Sequence, residues 1–141
     1  MHEPTAEPGL PSLHAALLAQ APDAMIYCDL AGNILLWNEA AARMFGHDAA
    51  HALGASLDII IPERFRAAHW AGFERAVTSG VAKYHGQVLT TRAEHAAGGK
   101  LYVDLAFSMI RDAAGEVIGV LATARLNAAR NAAADAAPGK T

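Results

Sequence analysis

Cysteine is nearly absent from this 141-residue chain. Cys28 is the only one, so no internal disulfide forms and a reducing, cytoplasmic setting is expected. An excess of one charge is missing too. Lys and Arg number 11 against 14 Asp and Glu, a formal charge of −3, which leaves no basic footprint for nucleic acid. Long hydrophobic runs are lacking: stretches such as "LDIII" and "VIGVLATA" fall far short of the ~20 residues that span a bilayer, so no membrane partner is expected. The start, "MHEPTAEPGLPS", has neither the basic nor the apolar region of a signal peptide. Catalytic patterns are also missing. There is no G-x-S-x-G, P-loop or G-x-G-x-x-G, and Glu63, Glu74, Glu94, Asp104 and Glu116 show no paired-carboxylate spacing. Five of the seven histidines, His2, His14, His47, His51 and His95, scatter over caps and loops without zinc-ligand spacing. The chain therefore reads as a non-enzyme.

What is present is a globular composition, 53% hydrophobic and 18% charged, sufficient for one core. Residues 1–11 read as a flexible leader. Over 12–22, Leu13, Leu17 and Leu18 fall in helical register behind Ser12 as a cap, an amphipathic helix stopped near Pro22. The main unit, 23–127, begins with β-like runs at Met25–Asp29 and Ile34–Trp37 around a tight Asp29…Gly32-Asn33 turn. Cys28, inside the first run, reads as a small buried hydrophobe. Asn38 caps the helix "EAAARMF", which Gly46 ends, and "HDAAHALG" adds a helical turn. A longer helix follows Pro62 and stops at Gly80. Strand patterns then cover about 82–94, 101–112 and 117–126, and an Ala-rich tail, 128–141, reads as a weak helix or as disordered. The order predicts an α+β domain: an antiparallel sheet with helices packed on one face.

One residue stands out. Phe65, His69, Gly72, Phe73, Ala76 and Val77 recur with helical spacing and predict a buried helix face with His69 at its middle. A buried imidazole without a partner costs roughly 1–3 kcal/mol. The residues alone leave its partner open: a backbone carbonyl, a side chain, or a metal. Trp70 beside it reads as helix surface or a dimer contact.

The element order, together with Asp29, Gly32, Asn38, Ala40, Phe45, Gly46, Gly54 and Pro62, resembles a PAS domain over about residues 12–127. The resemblance implies a five-stranded antiparallel sheet and a small-molecule, redox or light sensor that dimerises and signals to an output domain. Within the family, "PERFRAAH", "GFERAVTSG" and "YHGQVL" are similar to the haem-binding PAS sensors of the FixL-like and direct oxygen sensor phosphodiesterase-like kinds. That likeness implies haem b, with His69 as the proximal iron ligand. Leu89, Leu105 and Phe107 would line the pocket from the sheet, and Gln87 would lie at its edge. His85 and Lys83 stand where they would pair with propionates or simply face solvent. Gln87 replaces the methionine that the phosphodiesterase kind uses as sixth ligand, and Leu89 replaces the oxygen-contacting arginine of both kinds. A flavin photosensor would need a cysteine in an asparagine-cysteine-arginine motif of the central helical region, and Cys28 lies in the first strand. The expected function is a sensor of a diatomic gas (O2, CO or NO) or of redox state. A homodimer is expected, signalling to an output or partner protein in trans, because no kinase, cyclase or phosphodiesterase sequence follows. The alternative is a cofactor-free PAS module that dimerises or binds a small ligand.

Overall fold

A computed structural model describes residues 9–81 and 86–136. The elements run α1 (Leu10–Gln20), β1 (Ala24–Asp29), β2 (Ile34–Trp37), α2 (Glu39–Phe45), α3 (Ala49–Ala52), α4 (Arg66–Ser79), β3 (Leu89–Glu94), β4 (Lys100–Arg111), β5 (Val117–Leu126) and α5 (Ala128–Ala136). Short 3₁₀ turns at Leu57–Ile60 and Glu63–Phe65 lead into α4. The strands form one five-stranded sheet in the order β2-β1-β5-β4-β3, with every neighbouring pair antiparallel.

Local chemistry explains most boundaries. Asp29 Oδ1 accepts from the backbone N–H groups of Ala31 (3.0 Å) and Asn33 (2.9 Å), which closes the β1–β2 turn. Gly32 in that turn has φ +83°, and a Cβ there would run into the indole of Trp70. Asn38, buried at 5% exposure, ties three elements together. Its Oδ1 caps α2 through Ala41 N–H (3.0 Å) and accepts from Met25 N–H of β1 (2.9 Å), while its amide donates to Leu18 and Asp23 carbonyls, each at 3.0 Å.

One end differs from expectation, and the other takes the helical one of its two expected forms. The first helix starts at Leu10, behind Gly9 rather than behind Ser12, because Pro11 fits the first helical turn, where its missing N–H has no partner to lose. None of its residues is buried, and Leu10, Leu13 and Leu17 are exposed. The Ala-rich tail forms α5 because polar side chains staple it to the sheet. Asn127 Oδ1 caps it at Arg130 N–H (2.8 Å), and Asn131 both accepts from Tyr102 N–H and donates to Tyr102 O, each at 2.9 Å.

The inner face of the sheet has two zones. Ala24, Val103 and Ala124 join Ile34, Trp37, Ala41 and Phe45 in the packed core. Ile26, also in that core, begins the row Ile26–Ala122–Phe107, which with the row Cys28–Val120–Met109 is matched across β1, β5 and β4 and runs out beyond the core beneath α4.

Candidate functional site

A cavity of about 670 Å³ separates α4 from the second zone of the sheet. Its roof is α4, through Ala68, His69, Gly72, Phe73 and Ala76, and its floor is Ile26, Cys28, Phe107, Met109, Val120 and Ala122. Leu57 and Leu89 close two sides. The small roof residues matter: a Cβ at Gly72 would meet nothing nearer than Arg75 at 3.8 Å, so the helix opens onto space there.

The expected buried face of α4 is corrected by this geometry. No residue of the helix is fully buried, and His69 is only half-buried, because the helix spans a cavity instead of lying on a core. Even so, His69 Nδ1 is shielded from solvent and has no hydrogen-bond partner among the described residues. The ring packs edge-on against Trp70 (centroids 4.6 Å apart) and tilted against Phe73 (6.1 Å). Burial pushes the imidazole pKa below its ordinary 6.5, although the Asp58 carboxylate pulls the other way. His69 is therefore neutral at pH 7, the form in which an imidazole ligates a metal.

That shift has a pH signature. The unfolded chain takes up a proton near 6.5, whereas folded His69 waits until a lower pH. The contribution is fully present above 6.5 and is lost as pH falls through the window below it. Melting temperature should therefore fall on acidification through that window, and His69→Phe should flatten this part of the curve. An unchanged slope in the variant would contradict the assignment.

Of the other expected pocket residues, Leu89 and Phe107 line the cavity together with His69. Leu105 does not. It points to the same face of β4 as Phe107, but one row closer to the core, where it packs against the core cluster. Gln87 is also displaced: the third strand begins at Leu89 rather than near 82, so Gln87 precedes the strand and is exposed. His85 and Lys83 lie outside the described residues. Trp70 is neither plain surface nor a free contact. Its Nε1–H donates to Asp58 Oδ1 (2.7 Å), pinning α4 to the segment before it.

The floor residues Met109, Val120, Ala122, Ile26 and Cys28 were not anticipated as cavity walls. Strand alternation from Phe107 reaches Met109, but cross-strand register is needed to reach the others. Cys28 is 2% exposed and its thiol is pushed up to about 11, chiefly by burial, so it is protonated at pH 7. Arg75 and Ser79 supply polar atoms at the rim. An apolar chamber with one neutral imidazole and a guanidinium at its rim suits an apolar ligand that carries an anionic group. No cluster of three or more His, Cys, Asp or Glu able to hold a bare metal ion occurs among the described residues. No helix among them is long and apolar enough to cross a membrane.

The family model described as the PAS fold matches residues 13–126. The sensor protein FixL of Bradyrhizobium diazoefficiens is 41% identical over 54 residues, covering 38% of this chain but only 11% of that protein's length. Among solved structures, the PAS domain of a Colwellia psychrerythraea protein superposes with a TM-score of 0.71 at 18% identity, covering 84% of this chain and 97% of that one. An RNA-binding light-oxygen-voltage receptor superposes at 0.67 with 20% identity, covering 92% of this chain and 38% of that one. At these identities the two structures speak for the fold alone.

Proposed function

The chain belongs to the PAS fold family, matched over residues 13–126, and from that premise we propose that it is a sensor that binds haem b in the cavity beneath α4. His69 is the proximal iron ligand, and the signal sensed is a diatomic gas (O2, CO or NO) or the redox state of the iron. The observation that carries this reading is His69 itself: a neutral imidazole on the roof of an apolar chamber, with a shielded ring nitrogen that has no partner among the described residues. The residues fit the group. About 670 Å³ lies within the ~300–1,000 Å³ typical of cofactor pockets, and the walls are mainly aliphatic and aromatic. Phe73 and Leu89 would exclude water from the ring faces, and Arg75 at the rim is placed to neutralise a carboxylate. When bound, haem would supply an iron centre whose spin and charge respond to a gas ligand. Support for this group over others comes from the partial likeness to FixL.

Signalling to a second protein and pairing with a second copy belong to the same proposal. The exposed leucines of α1, Leu10, Leu13 and Leu17, form the apolar stripe for such pairing.

The second reading is a cofactor-free module that holds a small apolar ligand. It is favoured by the sheet side of the cavity, where on the resemblance to the haem sensors Leu89 takes the place of their oxygen-contacting arginine, and where no charged side chain projects from the strands. Haemin titration separates the two readings. The haem reading expects a stoichiometric Soret band with distinct ferric, ferrous and ferrous-CO spectra. A protein that stays colourless in excess haemin supports the second reading and ends the first.

A further inference from the structure

Side-chain bonds tie α4 down at its two ends, and the cavity lies between them. The first end is held many times over. Trp70 donates to the Asp58 carboxylate (2.7 Å), Arg66 donates to the carbonyls of Ile61 (3.0 Å) and Asp58 (3.2 Å), and the indole covers Gly32. At the other end, among the described residues, the side-chain tie to the rest of the fold is one exposed side chain. Arg111, the last residue of β4, donates from one guanidinium nitrogen to Gly80 O and from another to Gly115 O, each at 2.8 Å.

The exposed residues among the cavity's described lining concentrate at that same end. Of its lining residues, Arg75, Ser79 and Val81 are exposed there, and Ala68 is the one exposed lining residue elsewhere. Gly80, between Ser79 and Val81, ends α4 with φ +75°, and a Cβ on it would come within 2.7 Å of the Arg111 guanidinium.

We propose that Arg111 is a clasp over the entrance to the cavity. Ligands pass between the C-terminal end of α4 and the β4–β5 turn, and each passage waits for Arg111 to release the Gly80 carbonyl. The bond to Gly115 keeps the guanidinium in place while the Gly80 bond is broken, so the clasp recloses without searching. The planar fork of arginine spans two carbonyls, which the single ammonium of lysine cannot do with the same geometry. The proposal holds for haem or for any other apolar occupant, so it does not depend on the haem reading.

The test follows the uptake and release of 1-anilinonaphthalene-8-sulfonate by the full chain without haemin, using stopped-flow fluorescence. Arg111→Ala should speed both rates about tenfold, the equivalent of about 1.4 kcal/mol, with little change in affinity. Arg111→Lys should fall between the two. Amide exchange should quicken over residues 76–80 and stay unchanged over 66–70. Asp58→Asn, at the other end of α4, should leave the dye rates as they were. Three results would each overturn the proposal: unchanged rates in Arg111→Ala, a larger acceleration in Asp58→Asn, or failure of the unaltered chain to take up the dye.

Discussion

His69→Ala is expected to abolish stoichiometric haem uptake, while His47→Ala and His51→Ala keep a normal Soret band. The contrast rests on surroundings, not on residue type. His47 and His51 stack on each other (centroids 4.9 Å apart, planes 13° from parallel) beside α3, and neither lines the cavity. His69 is the one histidine among the cavity's described lining residues, and burial keeps its ring neutral. Removing it would take away the proposed iron ligand but leave the apolar walls. Weak, non-stoichiometric haemin binding with a broad, shifted band is therefore the expected residue of activity. Restoring a ligand with added imidazole, which fits the space the side chain vacates, should recover the sharp band. This rescue separates lost ligation from lost folding, and circular dichroism of the variant checks the fold directly. A full-intensity Soret band in His69→Ala would end the assignment and move attention to the cofactor-free reading.

How much of this was legible in the sequence depended on whether the determinant was local. The β1–β2 turn, the Asn38 cap, the Gly46 and Gly80 helix ends and β5 could all be read because each is fixed by residues within a few positions of itself. The position of His69 on α4 was legible for the same reason. Its environment was not. Helical spacing identifies a face, but it does not distinguish a core beneath that face from a cavity. Leu105 shows the same limit on the sheet. Alternation places it beside Phe107 correctly, yet the boundary between core and cavity runs between the two, set by where Phe45 and its neighbours on α2 pack. Gln87 was misplaced because the apolar and β-branched residues around it extend the strand pattern back past its true start at Leu89. The tail's two readings, weak helix or disordered, stayed open because alanine carries no periodicity. What holds α5 is the pairing of Asn127 and Asn131 with Tyr102 on a distant strand.

The remaining prediction concerns discrimination between gases. Oxygen bound to ferrous haem gathers negative charge on its outer atom and gains most from a hydrogen-bond donor, whereas carbon monoxide gains little. A charged donor is worth roughly twice a neutral one. On the sheet side of this cavity stands Leu89, which on the resemblance to the haem sensors takes the place of their oxygen-contacting arginine, and it offers no donor. Gln87 is exposed ahead of the strand and does not line the cavity. Among the floor residues, the donor present is the protonated thiol of Cys28, which is weak. Relative to an arginine-bearing sensor, this protein is therefore expected to favour carbon monoxide more strongly, and its oxygen complex should be short-lived and should autoxidise. Leu89→Arg should strengthen oxygen binding by about 1.5–3 kcal/mol, the range for hydrogen bonds to charged groups, and change carbon monoxide binding much less. Stopped-flow dissociation rates for both gases in both proteins measure this, with melting temperatures to confirm that the buried guanidinium is tolerated. Tight oxygen binding by the unaltered protein, together with no gain in Leu89→Arg, would place the donor elsewhere. Cys28, on the cavity floor, would then be the first residue to substitute, with valine to remove the thiol and serine to strengthen it as a donor.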